Sequence, residues 1–291
     1  MPPAAGYHYR AFGLDIASEF ALDPYLEPAS RPSSTPDLAI AWNAGGVERT
    51  AESLDAEFPG QVRVHLRGGR EAWLAPGRGA GMADVVELTC GPILAMALAQ
   101  RGLFVLHAAG VALDGLALAF TGHSGSGKST TAAVLAGRGG RLLADDFVPL
   151  VVTPGGIEVI GGPTPTKLSE VPAPAADEVH PVGVEVMSGK QLCRWARVCA
   201  AGERTSLAAI VLLEDGPRLR IERLRGQAAA SGLLSCTFSL PVMGAKRQVA
   251  QLGTAAAVGA GTPGGPPVGA RPRARGRGTA QLRRQVGPRD G

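Results

Sequence analysis

The stretch "TGHSGSGKSTTAAVLAGRGGRLLADD", Thr121 to Asp146, decides how the rest of this 291-residue chain is read. Gly122–Ser129 satisfies the spacing G-x-x-x-x-G-K-[ST] without a mismatch. Glycines allow a tight turn whose successive N–H groups converge on phosphate oxygens. A helix that begins at the end of such a loop turns its positive end toward the same oxygens. Lys128 supplies a point charge for the β- and γ-phosphates, and the Ser129 hydroxyl suits Mg²⁺. Nucleotide binding is therefore expected through Gly122, His123, Ser124, Gly125, Ser126, Gly127, Lys128, Ser129 and Thr130. Within that set His123 occupies a variable position, and Thr130 reads most simply as a first-turn helix residue.

The flanks fit the same reading. Asp114-Gly115 marks a hairpin turn between strands Leu103–Leu113 and Leu116–Thr121. A helix is expected from about Lys128 to Ala136, stopped by Gly137, Gly139 and Gly140, and "RLLADDFVPLVV" reads as one buried strand. Asp145 and Asp146 then follow an apolar run. An acid at such a strand end is the usual second metal anchor, so Ser129 and Asp145 form the candidate Mg²⁺ site. The second carboxylate, Asp146, is free to take a proton from an attacking hydroxyl. A solvated turn is the plainer account of the two charges. His107 lies in the otherwise apolar "LFVLHAAGVAL", where a lone histidine is usually a satisfied core residue.

Taken together, "LHAAGVALDGLALAFTGHSGSGKSTTAAVLAGRGGRLLADDFVPL" resembles the catalytic domain of HPr kinase/phosphorylase and its relatives. The clear match covers Leu103–Leu150, with weaker similarity over roughly Gly91–Gly253. The resemblance implies a fold shared with phosphoenolpyruvate carboxykinases. It also implies roles by position: Asp146 as general base toward a serine hydroxyl, Lys128 offsetting charge, Asp145 and Ser129 on Mg²⁺, and His107 near the reacting phosphate. The resembled enzymes form hexamers, which implies a homo-oligomer. One departure stands out. The bifunctional enzymes carry a glutamate and an Arg-Gly-Leu-Gly-Ile segment after the aspartates, whereas "GGPTPTKLSEVPA" (Gly161–Ala173) has Lys167 where an acid is expected. Glu170 is the nearby alternative. This weighs against a pyrophosphate-forming phosphorylase activity. The N-terminal part looks more like that of HPr-kinase-like proteins, some of which are similar to kinases that phosphorylate a peptide serine.

Outside this region the sequence is less informative. "YRAFGLDIAS", "PDLAIAW", "GQVRVHLRGG" and "EAWLAP" read as strands, and the second half of "VVELTCGPILAMALAQRG" as a helix stopped by Gly102. "GIEVIGG", "LAAIVLLED" and "RLRIERLRG" read as further strands, "GQAAASGLLSCTF" as a helix, and Pro163–Pro181 as an irregular loop or short helix. The fold class expected is α/β. It comprises a β-rich part over 1–95, a P-loop catalytic region over 96–253 and a Gly/Pro/Arg-rich tail over 254–291.

That tail carries seven arginines against one acid, a surplus of six in a chain whose total is +4, so residues 1–253 stand at −2. It is not expected to pack, and either native disorder or a shifted reading frame accounts for its vocabulary. A nucleic-acid partner is not expected from the body. Four scattered cysteines without metal-ligand spacing fit a reducing cytoplasm. No secretory signal is evident, and the apolar run Leu103–Phe120 is interrupted by His107 and Asp114, so no membrane partner is expected.

The leading expectation is an ATP- and Mg²⁺-dependent kinase acting on a serine of a protein or peptide. A small-molecule kinase and a nucleotide-binding regulator with little turnover are the alternatives. No "LSGGQ"-like or N-K-x-D segment points to an ABC-type ATPase or a GTPase.

Overall fold

The computed structural model describes residues 6–43, 45, 49–162, 164–216, 220–238, 253 and 255. It is a mixed α/β structure built mostly of strands. The first six strands are β1 (Tyr7–Ala11), β2 (Leu14–Ser18), β3 (Leu38–Trp42), β4 (Ser53–Phe58), β5 (Val62–Arg67) and β6 (Glu71–Pro76). They form one sheet in the order β1-β2-β3-β6-β5-β4. "YRAFGLDIAS" is thus a hairpin rather than one strand, because Phe12 and Gly13 both take positive φ (52° and 76°) and turn the chain back. Along β6 Ala72 and Leu74 are buried while their neighbours are not, the period-two pattern of a sheet with one covered face.

That face is covered by a helical run, α1 (Met82–Leu88) and α2 (Leu94–Gln100), joined by a π-type turn over Thr89–Ile93. The helix starts earlier than the sequence suggested. Gly91 leaves helical dihedrals (φ −97°, ψ −106°) beside Pro92, and the wider turn absorbs the missing N–H without ending the helix. By length and composition Met82–Gln100 could cross a membrane, but most of it is buried inside the protein. Its Leu94 and Leu98 share one core cluster with Ile16, Leu38, Leu66 and Leu74 of the sheet and with Phe104 and Phe147 beyond it.

The second sheet positions the motif residues. Its strands are β7 (Phe104–Leu106), β8 (Ala108–Leu113), β9 (Leu116–Gly122), β10 (Arg141–Ala144), β11 (Val148–Thr153), β12 (Gly156–Ile160) and β16 (Arg204–Leu213). A small third sheet holds β13 (Thr166–Leu168), β14 (Val179–Val184) and β15 (Gln191–Trp195) in the order β13-β15-β14. Helices α3 (Lys128–Ala136) and α4 (Gly226–Ser235) complete the described elements. Asp114 (φ 50°) and Gly115 (φ 79°) make the tight turn between β8 and β9, as expected.

Two segments that read as single strands are each broken, and at the same level. β8 pairs with β10 and β7 pairs with β11, both antiparallel, so two bent strands run side by side. The first breaks at His107, the second at Asp145–Phe147, where Asp146 is left-handed (φ 74°). A non-glycine residue held there costs of order 1 kcal/mol and is kept only where its surroundings fix it. Two further expectations are corrected. Pro163–Pro181 contains β13 and a 3₁₀ turn at Ala173–Ala175, because Thr166–Leu168 ladders onto β15. "RLRIERLRG" forms no strand over its described residues 220–225, which find no ladder partner. Expectations for the tail from residue 254 fall outside the described residues, apart from Ala255.

The corner is braced from the first sheet. The Phe12 ring packs on Phe147 (centroids 4.8 Å apart), and a Cβ at Gly162 would overlap that ring. Gly162→Ala is therefore expected to displace Phe12 and cost about 1–3 kcal/mol, read as a lowered midpoint in urea unfolding. An unchanged midpoint would show that Phe12 is not a fixed brace.

Candidate functional site

β9 ends at Gly122 and α3 begins at Lys128, so the glycine-rich residues form a loop between a buried strand and a helix N-terminus. Gly125 (φ 83°) and Gly127 (φ 90°) adopt conformations that side chains resist. A Cβ at Gly122 would come against the Leu213 carbonyl of β16, so the loop leaves the sheet through a gap only glycine fits. Lys128 is buried, and its ammonium donates to the carbonyls of Gly122 and His123, each at 3.0 Å. Burial lowers its pKa, opposed by the charges of Asp145 and Asp146. Ser129 is half-buried, whereas Ser124, Gly125 and Thr130 are exposed. His123 turns to solvent, 3.3 Å from Asp215.

The two aspartates separate. Asp145 is 2% exposed; Ser129 Oγ donates to its Oδ1 (2.8 Å) and the Lys167 backbone N–H to its Oδ2 (2.9 Å). Burial, then the Asp146 charge, push its carboxyl up to about 6 against these donors. Asp146 instead accepts from Lys167 Nζ at 2.6 Å. Burial works to raise its pKa, but Lys167, with His107 and Lys190, holds it below the usual carboxylate range. His107 sits where the first bent strand breaks, beside Asp146, and its Nδ1 is buried without a partner. Burial, then the Lys128 charge, lower its pKa, which favours the neutral imidazole. The Ser126 hydroxyl is likewise buried and unpartnered in the loop.

The structure thus brings Lys128, Ser129, Asp145, Asp146 and His107 to the wall of one cleft of about 590 Å³. It also supplies Glu185 and Glu87, which sequence reasoning missed, and gives a part to Lys167, which the sequence shows only as a missing acid. Lys167 bridges Asp146 and Glu185, 2.5 Å from the latter, and burial of its ammonium is outweighed by these two charges, which raise its pKa. Glu87, from α1, is buried and accepts hydrogen bonds from Tyr25 Oη (3.3 Å) and Val186 N–H (2.9 Å). Glu170, the alternative acid, is exposed, whereas Glu185 and Glu87 line the cleft. Neither lies in a recognisable motif. The one available sign was Lys167, an unexpected cation close to two aspartates.

Side-by-side oxygens of Ser129 and Asp145 fit a hard cation. Among the described residues no group of three or more His, Cys, Asp or Glu forms a protein-only cage. Mg²⁺ suits such a place, since it retains waters and takes one or two protein oxygens plus phosphate oxygens. The partnerless Ser126 hydroxyl and the helix start fit a phosphate group.

No family model matches the chain, and no curated protein matches it. Among solved structures, the Hpr(Ser) kinase/phosphatase from Coxiella burnetii matches at 16% identity and a TM-score of 0.26, over 40% of this chain and 76% of that one. The likeness is partial.

Proposed function

We propose that this chain is an ATP-dependent kinase that transfers a phosphoryl group to the serine hydroxyl of a protein or peptide. The observation that carries the reading is the convergence of Lys128, the Ser129–Asp145 pair and Asp146 on one cleft beside the start of α3. Ser129 and Asp145 would hold Mg²⁺, which when bound offsets phosphate charge. The loop N–H groups and Lys128 orient the triphosphate, and Asp146 receives the hydroxyl proton. His107, whose burial favours the neutral imidazole, stands beside Asp146 near the reacting phosphate. In this reading 96–253 is the catalytic region, 1–95 supports it and contributes to substrate recognition, and the protein works in the cytoplasm as a homo-oligomer without membrane or nucleic-acid partners.

Incubation with γ-labelled ATP and serine peptides tests the reading. Asp146→Asn is expected to reduce transfer by about 10²-fold or more while Mg²⁺–ATP affinity stays within about threefold. Equal labelling by the variant and the wild type would remove Asp146 as the base. The grip of Lys167 on Asp146 favours a second reading, a nucleotide-binding regulator with little turnover. Tight ATP binding with no transfer to any peptide would select it.

A further inference from the structure

The tip of the β14–β15 hairpin is inside out. Surface hairpins ordinarily turn polar side chains to water and apolar ones inward. Here Val184, Val186 and Met187 are 62%, 52% and 59% exposed, while Glu185 among them is buried. The arrangement is fixed from below. Lys167 pairs with Glu185, the Ser188 hydroxyl donates to the same carboxylate, and Glu87 Oε2 accepts from the N–H groups of Val186 (2.9 Å) and Met187 (3.4 Å). Two buried carboxylates therefore hold an apolar strip outward, and such a strip rimmed by polar groups marks an interaction site.

Three features say what it would bind. Met187 and Lys190 line the same cleft as Lys128 and Ser129, so whatever sits on the tip reaches the phosphate loop. β14 is an edge strand of its sheet and half-exposed along its length, so an extended chain beside it can take main-chain hydrogen bonds. Lys190 forms no salt bridge among the described residues, and its half-buried side chain, whose charge also acts on Asp146, lines the cleft next to the apolar strip.

We propose that this tip docks the phosphoryl acceptor, an extended polypeptide that lays an apolar side chain on Val184, Val186 and Met187 and an acidic side chain near Lys190. The inference rests on the kinase reading and names its substrate class: serine peptides flanked by an apolar and an acidic residue. The apolar strip supplies affinity and Lys190 the register, while the serine between them faces Lys128 and Asp146.

A positional-scanning library of serine peptides, labelled with γ-labelled ATP, tests it. The wild type is expected to select an apolar and an acidic position near the serine. The variant Val184→Ser/Val186→Ser/Met187→Ser, altered only at exposed side chains, is expected to raise KM for the best peptide about tenfold with kcat within about threefold. Lys190→Glu is expected to exchange the acidic preference for a basic one. Wild-type labelling without either preference, or an unchanged KM in the triple variant, overturns the proposal and leaves the kinase reading standing. A triple variant that changes only the oligomeric state on size-exclusion chromatography assigns the strip to a second copy and also overturns it. If wild type binds nucleotide but labels no peptide, both readings fall together.

Discussion

Lys167→Met is expected to lower the unfolding free energy by about 3–5 kcal/mol, the usual cost of removing one partner from a buried ionic cluster. The Lys167 side chain is 14% exposed and Glu185 8%, so the carboxylates left behind cannot recover full hydration. Met preserves the length of the stem, which confines the loss to the charge. Tyr25, whose ring lies 5.9 Å from Nζ, would lose a cation contact as well. Urea unfolding of the single variant and of Lys167→Met/Glu185→Gln separates the contributions. The double variant is expected to recover part of the loss, because one of the stranded charges has gone. A single variant within about 1 kcal/mol of wild type would show that the bridge is not formed in solution.

Asp145→Asn is expected to act in opposite directions on stability and activity. In chelator, at neutral pH, it should stabilise the protein by about 1–2 kcal/mol. Asparagine can accept from the Lys167 N–H through its one carbonyl oxygen and donate its amide to a reoriented Ser129 hydroxyl, while a buried charge disappears. The linkage has a definite sign. With a folded pKa raised from 3.8 to about 6, the folded protein holds the proton more tightly than the unfolded chain. The Asp145 contribution is therefore fully present below pH 3.8 and is lost as pH rises toward about 6. The variant should lack that downward slope in its melting temperature. Phosphoryl transfer should fall on the order of 10³-fold, the several kcal/mol expected when a cation ligand is lost. A variant that is active, or that is less stable in chelator at pH 7, would contradict the placement of Asp145.

How much of this was legible in the sequence depended on the range of the interactions involved. The bounds of α3, Lys128–Ala136, and the turn at Asp114-Gly115 follow from glycine placement and local spacing, and both were read correctly. The breaks at His107 and at Asp146 were not. Each lies in an apolar run that local pattern reads as continuous, and only pairing between distant strands shows that both must bend together. The cluster beneath the aspartates was hidden for a related reason. Glu87, Lys167 and Glu185 come from a helix, a strand and a hairpin tip that local pattern does not connect, and each alone looks like an ordinary surface charge. In the sequence Lys167 stands only as a missing acid. Its backbone N–H on Asp145 and its ammonium on Asp146 make it instead the residue that tells the two neighbours apart.

The coincident break in the two bent strands bears on what can be transplanted. Moving Thr121–Asp146 into another sheet would carry along the glycine loop, the helix start and both aspartates. Their heading would not travel with them, because it is imposed by Phe104–Leu113 bending at the same level on the neighbouring strand. The smallest portable unit of this site is therefore a pair of strands with matched kinks, and the loop between them is its most replaceable part.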